Sequence, residues 1–136
     1  MSTRSFISMQ LPDGSVRGVY CHFDGYLEGV GAILRDHYTN PDKVSRLINL
    51  GSLSSLGPEL GEAHDFDTAR YGNSSWTTAF HRDRGEELVV DSYPSPADID
   101  LDAAGYDYAY LFTSKGWLYR ARNSDVFLPL KMPGQR

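Results

Sequence analysis

Apolar and polar residues alternate near both ends of the chain, and this alternation predicts two β-hairpins. In the first, over residues 4–23, a Pro-Asp-Gly-Ser turn at 12–15 separates two apolar runs. Val19, Cys21 and Phe23 would share the apolar face of the returning strand. In the second, an alternating run over 106–112 is followed by a Ser-Lys-Gly turn and a strand over 117–121.

Between the hairpins, apolar residues recur three and four positions apart, which is the spacing of a helix with one buried face. This spacing predicts a first helix over 27–38. A second helix begins after Asn40, whose side chain is a favoured N-terminal cap, and ends at Gly51 as a left-handed C-cap. Residues 52–75 have little periodicity and are rich in Gly, Ser and acids, as is typical of a long and mobile loop.

The remaining apolar runs predict short strands. Residues 76–81 and 87–90 are predicted to pair across a polar turn, and residues 126–130 form a last edge strand, because Pro129 cannot donate to an interior ladder. The sequence therefore predicts one α+β domain over residues 1–136. Its antiparallel β-sheet has five to seven strands, with two helices packed on one face, in the order β-β-α-α-β-β-β-β.

The composition of the chain argues against nucleic acid and membranes as partners. The chain has 136 residues, 18 acids against 13 bases and a formal charge of −5, so no broad basic field is present to attract nucleic acid. Its one cysteine, Cys21, cannot form an internal disulfide, and no apolar run is long enough to span a bilayer. We therefore expect a cytoplasmic protein without membrane or direct nucleic-acid binding. No phosphate loop or dinucleotide fingerprint is present, so no cofactor is expected.

Two His-x-Asp segments are the candidate catalytic elements, namely His22 with Asp24 and His81 with Asp83. At the end of a strand, residues two apart point to the same face, so each segment would present an imidazole and a carboxylate together. If the segments were neighbours, they would suit a metal or a hydrolytic centre. The alternative, which we favour, is that these side chains bond turns and helix starts, with Asp24 capping the first helix.

Clustered arginines and alternating tyrosines are candidate binding elements. Arg82 and Arg84, with Arg4 and Arg70, would suit an anion, although a solvated turn with local ion pairs is the favoured alternative. Tyrosine and tryptophan are frequent anchors of protein interfaces, although at least half of these rings are expected in the core. The candidate binding residues are Arg4, Tyr20, His22, Asp24, Tyr26, His81, Arg82, Asp83, Arg84, Tyr106, Tyr108, Tyr110, Trp117 and Tyr119.

Several short blocks of the chain carry a resemblance. They are Met-Ser-Thr-Arg at the N-terminus, Tyr-Cys-His-Phe-Asp-Gly-Tyr at 20–26, the Leu/Ser/Gly-rich block 50–57, and His-Arg-Asp-Arg-Gly-Glu at 81–86. These blocks resemble a family of small uncharacterised proteins from phages, prophages and plasmids. Phe23 departs from the pattern, where tryptophan is expected. The resemblance implies a mobile-element context without naming an activity.

Three functions are consistent with these observations. The first is a non-catalytic protein that binds a host protein or complex and inhibits a host defence system, as anti-CRISPR proteins do, through an exposed sheet face and the 52–75 loop. The second is a small metal-dependent or hydrolytic enzyme that uses the paired His-x-Asp segments. The third is a phage structural or regulatory protein, including a homodimer formed through the edge strand at 126–130. The lack of a complete catalytic motif favours the first.

Overall fold

The computed structural model describes residues 3–63, 65–66 and 75–130. The strands are β1 (Ser5–Gln10), β2 (Val16–Cys21), β3 (Leu53–Ser55), β4 (Thr78–Ala79), β5 (Asp91–Tyr93), β6 (Tyr108–Thr113), β7 (Gly116–Ala121) and β8 (Leu128–Pro129). The α-helices are α1 (Ala32–His37), α2 (Pro41–Ile48), α3 (Phe80–Arg84) and α4 (Leu101–Ala104). A π-helical turn, Leu27–Gly31, leads into α1, and a 3₁₀ turn, Pro96–Asp98, precedes α4.

The strands form one mixed sheet in the order β4-β3-β2-β1-β6-β7-β8, with β5 paired to β2. Both predicted hairpins are confirmed as the antiparallel pairs β1–β2 and β6–β7. However, the two hairpins meet through strands β1 and β6, which pair in parallel, and β3 also pairs in parallel with β2. The prediction of a purely antiparallel sheet was therefore wrong. A local turn sets the direction of each hairpin, whereas no turn sets the direction in which two hairpins dock.

Helices α1 and α2 cover one face of the sheet and enclose the larger core. Asn40 caps α2 as predicted, since its side chain accepts a hydrogen bond from the Asp42 backbone N–H at 2.8 Å. Gly51, at φ +79°, follows the helix in the left-handed region. The fully buried side chains on this face include Ile7, Val19, Leu34, Tyr38, Val44, Leu47, Ile48, Leu53 and Tyr110.

The opposite face of the sheet carries a second core, which corrects the prediction that helices cover one face only. Ile99 and Leu101, from the segment that contains α4, pack against Phe6 and Leu111 of the sheet. Tyr106 joins this second core, so it does not share a face with Tyr110 as its alternation suggested. Both faces of the central strands β1 and β6 are therefore packed in the described structure. The apolar residues near α4 are too few to show a helical period.

The segments after α2 differ from their predictions. Residues 53–55 form β3 instead of part of a loop, while residues 64 and 67–74 of the predicted loop lie outside the described residues. Of the strand predicted over 76–81, only Thr78–Ala79 forms β4, and helix α3 begins directly after it at Phe80. Gly85, with φ +73°, follows the last residue of α3 as its C-cap. Residues 87–90 form no strand, and β5 begins at Asp91.

The edges of the sheet are short. The predicted last strand is confirmed as β8, but it contains two residues, as does β4 at the other edge. Such short edges offer few free backbone groups to a second copy of the chain. Within the part of the chain that is described, no helix combines the length and the apolar character that a membrane crossing requires.

Candidate functional site

The second His-x-Asp segment lies in helix α3 and not at the end of a strand. Residues two apart on a helix point to different sides, so His81 and Asp83 separate. His81 is exposed, and its Nδ1 lies 2.7 Å from the Glu86 carbonyl oxygen. The Asp83 carboxylate is fully buried and accepts a hydrogen bond from the Ala79 backbone N–H at 2.8 Å. The predicted common face was therefore wrong for this segment.

Arg82 and Asp83 together form a structural bracket. The Arg82 guanidinium donates to the Leu60 carbonyl oxygen at 2.8 Å and to the Thr77 carbonyl oxygen at 2.6 Å. Its Nε also donates to the Asp83 carboxylate at 2.9 Å. The two side chains thus hold the segment near Leu60 against β4 and the start of α3.

The arginines do not assemble into an anion site. Arg84 packs over the rings of Phe66 and Phe80, at 4.3 and 5.2 Å from their centroids, and pairs with Glu86. Arg4 is exposed, and its backbone N–H donates to the Asp107 carboxylate at 3.0 Å. Arg70 lies outside the described residues. Arg82 and Arg84 do form local ion pairs, with Asp83 and Glu86, but both arginines lie in helix α3 and Arg82 is largely buried, so the predicted solvated turn was wrong.

The four His-x-Asp side chains do not form a shared metal site. No group of three or more His, Cys, Asp or Glu side chains within residues 3–63, 65–66 and 75–130 is arranged to hold a metal ion. Burial raises the pKa of the Cys21 thiol to about 12, which opposes its use as a nucleophile. The enzyme alternative required the two His-x-Asp segments to form one shared site, and the structure does not support that arrangement.

The first His-x-Asp segment belongs to a loop of a different kind, residues 22–26, which we call the display loop. Strand β2 ends at Cys21, so the strand alternation that would align His22 with Asp24 stops before it reaches them. The backbone N–H groups of His22 and Phe23 donate to the carbonyl oxygens of Leu53 and Ser54, both at 3.0 Å. The start of the loop is thus tied to β3.

Asp24 gives the display loop its sharp turn. Its φ of +58° is the one positive value outside glycine among the described residues, and aspartate tolerates this region better than most side chains. Its backbone carbonyl oxygen accepts a hydrogen bond from the Val30 N–H at 2.8 Å, and an added Cβ on Gly29 would lie 2.3 Å from that oxygen. The helix start has no side-chain cap, so the capping role predicted for the Asp24 carboxylate was wrong.

Gly25 fastens the loop to the core from the other side. Its N–H donates to the Thr3 carbonyl oxygen at 2.9 Å, and its own carbonyl oxygen accepts from the buried Tyr110 hydroxyl at 2.6 Å. An added Cβ would lie 2.8 Å from the Thr3 oxygen, so the close approach requires glycine. Bonds to β3, to the N-terminal segment and to β6 therefore all hold the backbone of a five-residue loop.

The side chains of the display loop contrast with its fixed backbone. Phe23 and Tyr26 are 42% and 40% exposed, and the Tyr26 hydroxyl donates to the Asp24 carboxylate at 3.4 Å. The negative charge of Asp24 is the main cause that raises the pKa of the Tyr26 hydroxyl. Asp24 and Glu28 are the charged residues between Arg17 and Arg35, so the sequence around the loop is acidic.

Behind the loop, aromatic rings follow one another across the sheet. The Phe23 ring lies 4.5 Å from the His22 ring, and the Tyr20 hydroxyl contacts Nδ1 of His22 at 2.5 Å. Neighbouring ring centroids along the row are 4.5 to 6.1 Å apart, which is the range of favourable ring contacts. In order, the rings are Phe23, His22, Tyr20, Tyr106, Phe6 and Tyr93.

Most of the other predicted aromatic binding residues belong to the core. Tyr106, Tyr110 and Trp117 are buried, and Tyr108 and Tyr119 are partly buried against the helix-side core. Phe23, in contrast, was expected on the apolar face of the returning strand with Val19 and Cys21, and it is exposed. The signal that points to its exposure is its position immediately before Asp-Gly, a pair that favours a turn.

Comparison of the chain with protein-family models, with curated proteins and with solved structures finds no match in any of the three.

Proposed function

We propose that this chain is a non-catalytic binding protein whose display loop contacts a basic surface of a partner protein. The main support is that two exposed aromatic side chains, Phe23 and Tyr26, lie on a loop whose backbone is hydrogen-bonded to the rest of the fold. The sequence resemblance is densest at this loop, which fits a function there. The proposed setting is a mobile genetic element, and the proposed partner is a component of a host defence complex.

The fixed backbone supports tight binding for an energetic reason. Association is weakened by the cost of ordering loops and side chains, and a loop that is already ordered avoids much of that cost. Aromatic side chains supply large contact areas with few rotatable bonds, and they are frequent hot spots of protein interfaces. Phe23 and Tyr26 combine both properties, since Phe23 itself is bonded to β3 and Gly25, beside Tyr26, is bonded to Thr3 and Tyr110.

Charge supports the choice of a basic partner. Asp24 lies between the two exposed rings in the sequence, Glu28 follows within two residues of Tyr26, and the whole chain carries −5. Aromatic faces attract guanidinium and ammonium groups, and a neighbouring carboxylate adds to this attraction. An arginine-bearing surface complements such a loop, and nucleic acid, which is anionic, does not.

The binding function is tested with matched surface variants. Phe23→Ser with Tyr26→Ser removes both exposed rings of the display loop. Val126→Ser with Leu128→Ser removes two similarly exposed apolar residues in and just before the edge strand β8. Each protein is used to capture partners from bacterial lysate at low and at high salt. Cross-linking with mass spectrometry then locates the contact. We expect a salt-sensitive partner that is cross-linked to the display loop and lost only with the loop variant.

The defence function is tested in living bacteria. Strains with defined defence systems are challenged with phage while they express the chain or one of the two double variants. We expect the wild type and the Val126/Leu128 variant to restore phage plating in at least one strain, and the Phe23/Tyr26 variant to fail. Plating that stays low in every strain would refute the defence role. Equal activity of the two double variants would refute the assignment of the loop.

A further inference from the structure

A cleft of about 400 Å³, which shares no lining residue with the display loop, lies where the junction of α1 and α2 meets the β6–β7 turn and β8. This volume is within the range of small-molecule sites. Phe112 and Trp117 form part of its wall, while Thr39 and Ser114 contribute hydroxyl groups. The combination of an apolar wall with a few polar groups is typical of a binding site for a small organic molecule.

The charges that line the cleft have one sign. Arg35 and Lys115 are its ionisable lining residues, although the chain as a whole is acidic. The Arg35 guanidinium pairs with Asp36 at 2.9 Å, so much of its charge is balanced. Lys115 forms no ion pair with any residue that the structure describes. The ammonium group of Lys115 therefore supplies an unbalanced positive charge at the rim.

The walls of the cleft are already in place. The Trp117 indole N–H donates to the Tyr38 carbonyl oxygen at 2.8 Å, and its ring packs against Phe112 with centroids 5.1 Å apart. In the β6–β7 turn, the Thr113 hydroxyl donates to the Gly116 carbonyl oxygen at 2.9 Å and accepts from the Lys115 backbone N–H at 3.2 Å. A ligand would thus meet a rigid aromatic wall beside a turn of fixed shape.

We propose that this cleft binds a small organic anion, an aromatic carboxylate, sulfonate or phosphate. Its planar apolar body packs against Phe112 and Trp117, and its anionic group pairs with Lys115. The cleft shares no lining residue with the display loop, so its ligand would be a second one, of a different chemical class.

The test compares two dyes of nearly the same shape. The anion 8-anilinonaphthalene-1-sulfonate carries a sulfonate that the neutral N-phenyl-1-naphthylamine lacks, and both fluoresce more strongly in an apolar site. Each dye is titrated into the full chain and into Lys115→Gln, Thr39→Phe and Arg46→Gln. Arg46 is an exposed cation outside the cleft, with a side chain 72% accessible, and its variant controls for net charge. Circular dichroism verifies that each variant is folded.

We expect Lys115→Gln to weaken binding of the sulfonate about fivefold and to leave the neutral dye unchanged, in line with a partly exposed ion pair. Thr39→Phe, which adds bulk at the rim, should weaken both dyes, and Arg46→Gln should weaken neither. Three results would each overturn the proposal: no binding of the sulfonate to the wild type, equal losses for Lys115→Gln and Arg46→Gln, or full affinity in Thr39→Phe.

Discussion

Replacement of Asp83 by alanine is expected to destabilise the protein more than any ordinary surface substitution. The Asp83 carboxylate is fully buried, accepts the Ala79 backbone N–H and neutralises Arg82. Its removal leaves an unsatisfied N–H at the start of α3 and a guanidinium without its counter-charge. Arg82 would still be bonded to the Leu60 and Thr77 carbonyl oxygens, so it cannot simply turn out to solvent without breaking those contacts.

The size of the effect follows from these contacts. Loss of one partner from a buried ion pair costs about 3–5 kcal/mol, and a buried, unpaired N–H costs about 1–3 kcal/mol. Because the Arg82 side chain keeps 16% exposure, water compensates part of the loss. We expect Asp83→Ala to lower the free energy of unfolding by about 3 kcal/mol, which is roughly 9–15 °C in Tm for a chain of this size.

Urea unfolding monitored by circular dichroism measures this loss directly. The matched control is Asp42→Ala, which removes a carboxylate from the first turn of another helix, where the side chain is 83% exposed and 4.0 Å from Arg46. We expect the control to lose less than about 1 kcal/mol. The double variant Arg82→Ala with Asp83→Ala should cost about 1–3 kcal/mol less than the sum of its single variants. Equal losses for Asp83→Ala and Asp42→Ala would refute the reasoning.

Two further predictions concern the display loop and the buried hydroxyls. Because Asp24 has φ +58°, Asp24→Ala should lower the free energy of unfolding by about 1 kcal/mol, whereas Asp24→Gly and Asp24→Asn should be nearly neutral. Urea unfolding measures these differences. An equal loss for all three variants would instead show that the carboxylate itself stabilises the fold. Burial raises the pKa of Tyr38 to about 12 and also raises that of Tyr110. The unfolded chain releases the proton of the buried Cys21 near pH 9 and those of the tyrosines near pH 10. Stability should therefore begin to fall above about pH 9 and fall more steeply above pH 10, with a smaller fall in Tyr38→Phe; a Tm that stays level from pH 9 to 11 would contradict this.

Much of the local structure follows from local chemistry in the sequence. The Pro-Asp-Gly-Ser turn brings β1 and β2 together, and the Gly14 φ of +89° is the conformation that this turn requires. Asn40 caps α2 because its side chain reaches an N–H two residues away. These features depend on residues that are close together along the chain, so neighbouring residue types are sufficient to predict them.

The candidate site was predicted in part. The sequence pointed to residues 20–26 through the His-x-Asp pattern, but it placed Phe23 on the apolar face of a strand and gave Asp24 the role of a helix cap. The structure exposes Phe23, and it uses the backbone of Asp24 instead of its carboxylate to start the helix. The second pattern failed because α3 replaced a strand at Phe80, which changes the side-chain period from 2 to 3.6.

The sequence by itself determined the two hairpins, the helices α1 and α2 on one face of the sheet and the acidic, aromatic character of residues 20–26. Tertiary structure decided the parallel pairing of β1 with β6, the second core around Phe6 and the bracket of Arg82 and Asp83. Each of these depends on segments that are distant in the sequence or on burial of a charge. Their free energy comes from contacts that exist only after the chain has folded, so no local pattern records them.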